Sequence, residues 1–149
     1  GAAYPLIDAA AALATLAVCA EALGVMERIK DMTIDYMRTR KQFGSVLGKF
    51  QALQHRMVDM FIETELTKSL MIKATLQLDS NDSEAGSTIS ALKVQVGKAG
   101  RLVGQHAVQL HGGMGVSDEM SIGHYLKRFT AIDSMFGNTQ YHINKFQAK

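Results

Sequence analysis

Residues 38–44 and the following Phe50-Gln51 pair combine side chains that could bind an anionic, ring-containing ligand. The segment Arg-Thr-Arg-Lys-Gln-Phe-Gly supplies guanidinium and amide donors, an aromatic ring and a turn glycine. Guanidinium groups bind phosphate through paired, charge-assisted hydrogen bonds. Basic side chains also favour helix C-termini, because they face the negative pole of the helix dipole. The segment alone therefore fits a phosphate site and a basic helix end equally well.

A second candidate is the glycine cluster that follows a strong helical pattern. Apolar residues recur at steps of three and four up to Leu110, which predicts a helix that ends at Leu110 to Gly112. Gly112 can take the left-handed conformation that closes a helix, and Gly113 and Gly115 would leave backbone amides open to a flat or phosphorylated cofactor. A plain glycine cap and turn is the alternative interpretation. A dinucleotide fingerprint is not predicted, because that motif follows a strand.

Other chemistries have weaker support in the sequence. Glu-x-x-His pairs, which carboxylate-bridged metal centres in helical bundles need, do not occur. The histidines are interpreted singly: His106 as a hydrogen-bonded core residue, His55 and His124 as partly exposed. Cys19 lies in an alanine-rich, apolar stretch and is expected to be a small buried side chain. We expect neither a metal site nor a cysteine nucleophile.

Length and composition predict one globular unit, residues 1–149, with 47% hydrophobic residues. Sixteen basic and 14 acidic residues are interspersed, giving a net charge of +2, so nucleic acid is not an expected partner. Uncharged apolar runs are short, so we expect no membrane span or signal peptide and a cytoplasmic location. Gly1-Ala2-Ala3 resembles a cut or cloned end, so we expect the natural N-terminus to lie upstream.

Hydrophobic periodicity predicts an all-α protein. The expected helices span residues 6–40, 50–78, a third stretch ending at Leu110, 120–135 and 139–148. One proline, Pro5, lies near the start, so almost nothing interrupts the helices. The most economical packing is an up-and-down four-helix bundle with short extra helices at the C-terminus.

The finer pattern predicts which residues face the core and cap the helices. Asp82 or Ser83 is expected to cap the third helix, and the segment 117–119 the next one. One apolar face of the first helix is expected to carry Leu13, Leu16, Ala20, Leu23 and Met26. That of the second is expected to carry Phe50, Leu53, Met57, Met60, Phe61, Leu70, Ala74 and Leu78.

Two segments of this chain resemble a known family. Residues 36–44, Tyr-Met-Arg-Thr-Arg-Lys-Gln-Phe-Gly, with Phe50-Gln51-Ala52, are similar to the signature that opens the C-terminal helical domain of acyl-CoA dehydrogenases. Residues 107–115, Ala-Val-Gln-Leu-His-Gly-Gly-Met-Gly, look like a second signature of that family, and the spacing between the two segments also agrees. The resemblance extends over nearly the whole chain.

The resemblance implies a four-helix bundle that supplies part of an FAD site, often across a subunit interface, in a larger enzyme. That enzyme dehydrogenates the α,β bond of an acyl-CoA thioester and normally has an N-terminal helical domain and a middle β-barrel domain, neither of which is in this chain. The implied partners are an acyl-CoA substrate, an electron-transfer flavoprotein or similar acceptor, and like or homologous subunits in a dimer or tetramer.

The resemblance also assigns residues to the flavin. It places Arg40 and Gln42 at the FAD pyrophosphate from a neighbouring subunit, with Phe43 and Gln51 in the same patch. It places one continuous segment along the adenosine side, which consists of Gln109, Leu110, His111, Gly112 and Gly113. It also matches Asn138 and Gln140 to positions that reach the adenine end.

The family's catalytic base is missing from this chain. Phe136 occupies the position of the usual glutamate, and residues 13–16, Leu-Ala-Thr-Leu, lack a carboxylate at the alternative position near the start of the first helix. Asp133, one helical turn before Phe136, is a weak substitute for which helix capping is the alternative. The chain therefore fits a dehydrogenase domain or a non-catalytic, flavin-holding subunit of a hetero-oligomeric complex.

Overall fold

The computed structural model describes residues 3–117 and 120–147. Five helices account for most of them: α1 (Ala3–Thr39), α2 (Gln51–Asp79), α3 (Ala85–His111), α4 (Ile122–Ser134) and α5 (Thr139–Gln147). Short 3₁₀ turns occupy Leu47–Lys49 and Gly112–Val116. The all-α prediction is confirmed, including the end of the third helix at His111.

The helices form the predicted up-and-down bundle. Helix α3 is central and contacts every other helix. Helices α4 and α5 together take the place of the fourth helix of the bundle. Phe129 of α4 packs on Gly100 in the middle of α3, whereas Ile143 of α5 lies beside Ala91 and Val94, nearer the start of α3. A bidentate pair between Arg128 and Glu21, with nitrogen to oxygen distances of 2.6 and 2.7 Å, joins α4 to α1.

Two local features differ from the sequence prediction. A hairpin of two-residue strands, β1 (Lys41–Gln42) and β2 (Ser45–Val46), connects α1 to the first 3₁₀ turn. The cap of helix α3 is Glu84, one residue after Ser83 and two after Asp82, and the Asp82 carboxylate accepts a 2.8 Å hydrogen bond from the Glu84 amide. The cap predicted at residues 117–119 lies partly outside the described residues.

The buried face of α1 is shifted from the predicted one. Leu16 and Met26 are buried, but Leu13 is 60% exposed and Ala20 is also exposed, while Thr15 and Cys19 lie in the core. The stretch around Cys19 is apolar on all sides, so periodicity alone could not select the face that packs on α3. Cys19 is buried as predicted, and burial raises the pKa of its thiol to about 12.

Helix α2 buries fewer of its apolar residues than predicted. Met60 and Ala74 are in the core, whereas Phe61 is 52% exposed. A further apolar stripe stays exposed on this helix, formed by Val58, Ile62, Leu66, Ile72 and Leu76. Exposed apolar surface of this extent is typical of a face that another protein surface covers.

In the described part of the chain, one helix, α1, is long and apolar enough to cross a membrane by length and composition. This evidence is weak, because α1 contributes a continuous buried stripe to the bundle core, from Thr15 through Met26 to Met37.

Candidate functional site

The hairpin after α1 projects the first candidate segment from the end of the bundle. Phe43 and Gly44 have φ angles of 53° and 76°, as in the type I′ turn that suits a two-residue hairpin loop. Phe43 is 87% exposed, and its ring lies edge-on to that of Phe50 with 6.2 Å between centroids. The Leu47 amide donates to the Arg40 carbonyl at 2.9 Å, so the hairpin is anchored to the first residue after α1.

The glycine cluster at the end of α3 has two different roles. Gly112 has φ 60° and ψ −140°, a positive-φ conformation outside the left-handed helical region and accessible mainly to glycine. A Cβ added to Gly113 would meet nothing within 4 Å, so this backbone is open to a ligand as predicted. The prediction for Gly115 is wrong: it is buried, and a Cβ there would lie 2.6 Å from the Val108 carbonyl oxygen.

Tyr36 and His111 join the two segments. Their rings stack with 4.3 Å between centroids and an interplanar angle of 27°, and the Tyr36 hydroxyl lies 3.5 Å from the His111 carbonyl oxygen. His111 Nδ1 is 2.8 Å from the Ala107 carbonyl oxygen, so Nδ1 carries the proton and Nε2 is an acceptor. Burial lowers the pKa of His111, and its Nε2 has no hydrogen-bond partner among the described residues.

Together these residues form one open cavity of about 480 Å³, here called the hairpin cavity. Its lining contains most of the predicted cofactor-binding residues: Arg40, Gln42, Phe43, Gln109, Leu110, His111, Gly112 and Gly113. Four lining residues were not predicted: Tyr36, Leu47, Leu53 and Met114. Tyr36 could have been found, because it lies one helical turn before Arg40. A guanidinium, amide donors, stacked rings and an uncovered backbone suit an anionic group joined to a flat ring.

Three predicted residues lie outside this cavity. Gln51 begins α2 and is exposed beside Phe50. The Asn138 side chain accepts a 2.9 Å hydrogen bond from the Tyr141 amide and caps α5, and Gln140 donates to Asn144 at 2.9 Å.

Asn138 and Gln140 lie near the opposite, N-terminal end of α3. Lys93 contacts the turn just before Asn138, and the helix rise of about 1.5 Å per residue puts roughly 27 Å between Lys93 and His111. Within one chain, the predicted set therefore falls into two separate places.

The second place is the turn between α4 and α5. Phe136 and Gly137 have φ angles of 54° and 97°. Lys93 is fully buried beneath this turn, and its ammonium donates to the carbonyl oxygens of Asp133 at 3.0 Å and Gly137 at 2.8 Å. Burial lowers the pKa of Lys93. Lys93 was missed by sequence reasoning, because a lysine on α3 is normally expected to face solvent.

Phe136 lies at the edge of an open cavity of about 380 Å³, here called the Phe136 cavity. Thr15, inside the stretch that matches the alternative base position, lines the same cavity. Phe136 and one residue of the stretch 13–16, Thr15, thus line the same cavity, and neither carries a carboxylate. The nearest lining carboxylate is that of Asp8, which pairs with Lys145 at 3.6 Å.

The remaining titratable residues near this cavity have structural partners. Asp133 Oδ1 accepts hydrogen bonds from the Thr139 amide at 3.2 Å and hydroxyl at 2.6 Å, so it caps α5 and does not line the Phe136 cavity. His142 is buried, and its Nε2 lies 3.0 Å from the Phe136 carbonyl oxygen. Burial lowers the pKa of His142.

The structure agrees with only some of the predictions for the other histidines. His106 was predicted to lie in the core but is half-buried, with its Nδ1 3.5 Å from the Arg56 carbonyl oxygen. The core histidines are His111 and His142. His55 and His124 are exposed. Within residues 3–117 and 120–147, no three His, Cys, Asp or Glu side chains are grouped as a metal ion would require.

The chain matches the family described as "Acyl-CoA dehydrogenase, C-terminal domain" over residues 6–149. It is 29% identical over 136 residues to the acyl-CoA dehydrogenase IpdE2 of Mycolicibacterium smegmatis, covering 91% of this chain and 42% of that protein. The chain thus spans less than half the length of this relative.

Solved structures show the same fold. A structure described as PigA with FAD and proline superposes with a TM-score of 0.89 at 22% identity, covering 93% of this chain and 36% of that one. A steroid ACAD described as Tcur3481-Tcur3483 superposes with a TM-score of 0.87 at 28% identity, covering 92% of this chain and 38% of that one.

Proposed function

Because this chain belongs to the acyl-CoA dehydrogenase family, whose C-terminal domain it matches over residues 6–149, we propose that it is part of a larger FAD-dependent enzyme. That full-length protein would remove hydrogen from the α and β carbons of an acyl-CoA thioester. The observation that carries the proposal is the hairpin cavity, in which Arg40 and Gln42 lie next to the open backbone of Gly113.

The residues of the hairpin cavity fit the ADP portion of FAD. The Arg40 guanidinium and Gln42 amide supply donors for the pyrophosphate. The open backbone at Gly113 allows close approach of the adenosine, and the unpartnered His111 Nε2 can accept a hydrogen bond from a ribose hydroxyl or the adenine amino group. When bound, FAD would supply the hydride acceptor for the β-hydrogen.

The separation of the two predicted groups supports a shared flavin site. Asn138 and Gln140 lie roughly 27 Å along α3 from the hairpin cavity, so in our proposal each chain contributes its two ends to different cofactors. The hairpin cavity would then serve the FAD of a neighbouring subunit. The exposed apolar stripe of α2 supports assembly with like or homologous subunits.

A second candidate function follows from the Phe136 cavity. Abstraction of a weakly acidic α-proton needs a positioned base within about 3 Å, and neither Phe136 nor any of residues 13–16 carries a carboxylate. We therefore also propose a non-catalytic, flavin-holding subunit whose complex draws its base from another chain. The relative described by two protein designations, Tcur3481-Tcur3483, supports this kind of assembly.

The cofactor assignment is tested by the visible spectrum of the purified full-length protein. Replacing Arg40 by Ala removes a charge-assisted contact of about 1.5–3 kcal/mol, so FAD affinity should fall roughly tenfold or more. Arg38→Ala is the matched control, since Arg38 is exposed two residues before Arg40 and does not line the cavity. A colourless protein that cannot be reconstituted with FAD, or an Arg40→Ala variant that retains FAD like the wild type, would refute the assignment.

The two candidate functions are separated by anaerobic mixing with a panel of acyl-CoAs. Flavin bleaching by the purified homo-oligomer alone would refute the base-less subunit and support the complete enzyme. Bleaching that appears only after a co-encoded homologue is added would support the subunit.

If the full-length protein is the enzyme, we expect it to be cytoplasmic and its reduced flavin to be re-oxidised by an electron-transfer flavoprotein.

A further inference from the structure

The floor of the Phe136 cavity is polar. Five lining residues are 2–9% exposed and form the buried part of the wall; four of them are polar, namely Thr15, Ser87, Ser90 and His142, and the fifth is Ile89. A pocket for a plain hydrocarbon chain is normally lined by apolar side chains, because buried polar groups lose their hydrogen bonds to water. This floor is therefore matched to a ligand that has polar groups of its own.

The hydroxyl groups of the floor present mainly acceptors. Thr15 donates to the Ala11 carbonyl oxygen at 2.7 Å, and Ser90 donates to that of Gly86 at 3.1 Å. Each of these hydroxyl protons is already used, so the oxygen lone pairs remain for a ligand. Ser87 has no side-chain hydrogen bond within the described residues, so it can donate or accept.

His142 adds a third acceptor. Its Nε2 lies 3.0 Å from the Phe136 carbonyl oxygen, which can only accept, so Nε2 carries the proton. The Nδ1 lone pair is then free, and Nδ1 has no partner in the described part of the chain. An unpaired buried acceptor is costly unless something donates to it.

The charges around the cavity favour a neutral hydroxyl over an ammonium group as the hydrogen-bond donor in the ligand. Lys93 and Lys145 both help to lower the pKa of His142. Asp8, the lining carboxylate, is already paired with Lys145. Because Asp8 offsets the charge of Lys145, the cation that an ammonium group beside His142 would meet is Lys93, which does not repel a neutral hydroxyl. A hydroxyl can also accept from Ser87 while it donates to one of the acceptors.

We infer that the Phe136 cavity binds an acyl group that carries a hydroxyl, held by the Thr15, Ser90 and His142 acceptors. This inference rests on the proposed function, since it takes the ligand to be a CoA thioester. It names the substrate class as hydroxylated acyl-CoAs, in preference to unsubstituted fatty acyl-CoAs or amino-acyl thioesters.

The inference is tested by isothermal titration of the full-length protein with octanoyl-CoA, the positional isomers of hydroxyoctanoyl-CoA, and ω-aminooctanoyl-CoA. At least one hydroxylated isomer should bind about tenfold more tightly than octanoyl-CoA, as expected for one well-made buried hydrogen bond. The Thr15→Val and Ser90→Ala variants should each reduce this preference several-fold. Thr33→Val is the matched control, because Thr33 makes the same 2.7 Å bond to its i−4 carbonyl on α1 but does not line the cavity.

Equal affinity for octanoyl-CoA and every hydroxylated isomer would overturn the inference, and so would tighter binding of the amino compound. A hydroxyl preference that survives in the Thr15→Val and Ser90→Ala double variant would place recognition elsewhere and would also overturn it. The FAD content of the same preparation is measured independently. A protein with bound FAD but no hydroxyl preference contradicts only this inference, whereas one that cannot bind FAD contradicts the proposed function.

Discussion

Replacing Lys93 by methionine tests whether a buried cation holds the turn between α4 and α5. Lys93 is the largest fully buried side chain among the described residues, and its ammonium bonds to the carbonyl oxygens of Asp133 and Gly137. Methionine has a similar length and volume, so the substitution removes the donor without leaving a large cavity. The two carbonyl groups would then lose a buried partner.

The expected effect is a difference of two opposing contributions. Each hydrogen bond from a charged donor contributes about 1.5–3 kcal/mol, so two lost bonds cost about 3–6 kcal/mol. Burying the ammonium is itself unfavourable, as the lowered pKa of Lys93 indicates, and methionine removes that cost. We expect a net loss of about 2–4 kcal/mol in the free energy of unfolding.

Urea denaturation followed by circular dichroism measures this loss as a lower midpoint at unchanged slope. Lys98→Met is the matched control, because Lys98 is exposed on the same helix, and it should stay within about 0.5 kcal/mol of the wild type. A Lys93→Met variant as stable as this control would refute the reasoning, since it would mean that the carbonyl groups do not depend on the buried ammonium.

Three further predictions concern the two cavities. Phe136→Glu should create or increase flavin bleaching by acyl-CoA if Phe136 occupies the base position, and unchanged bleaching would contradict that alignment. Gly112→Ala should lower the free energy of unfolding by about 1–3 kcal/mol because of its φ of 60°, whereas Gly113→Ala should leave stability unchanged and weaken FAD binding; equal stability of the two variants would contradict the strain argument. The buried His111 and His142 have lowered pKa values, so the unfolded state takes up protons first and stability should fall as the pH drops below about 6.5, by at most about 1.4 kcal/mol per pH unit for each histidine. Between pH 7 and 5, the urea midpoint should change less with pH in the His111→Gln and His142→Gln variants than in the wild type. A wild type equally stable across this range would contradict the assignment.

The helices and both segments that line the hairpin cavity could be predicted because their signals are continuous in the chain, whereas the two-residue strands were not predicted. The stripe that ends at Leu110 determines where α3 stops, and the seven residues from Arg38 to Gly44 carry their donors and their turn glycine together. The helices place both segments at one end of the bundle, since α1 and α3 run in the same direction and Tyr36 stacks on His111. Short-range patterns therefore predicted the helices and both segments, and the resemblance to the family assigned the two segments to one cofactor.

The polar interior could not be predicted, because it depends on which helix faces meet. Periodicity placed Leu13 in the core, but the apolar surroundings of Cys19 left the rotation of α1 open, and packing on α3 chose Thr15 and Cys19. The same packing buried Lys93, whose burial is stabilised by carbonyl groups far away in the sequence.

Only the tertiary structure decided how Thr15, Ser90, Phe136 and His142 combine. These residues belong to three helices and one turn, and no local pattern relates their spacing. The sequence alone predicted the helices, and its resemblance to the family predicted the cofactor segment and the missing carboxylate, because each of these is a property of neighbouring residues. The polar floor of the Phe136 cavity is a property of contacts between distant segments, and these exist only once the bundle has closed.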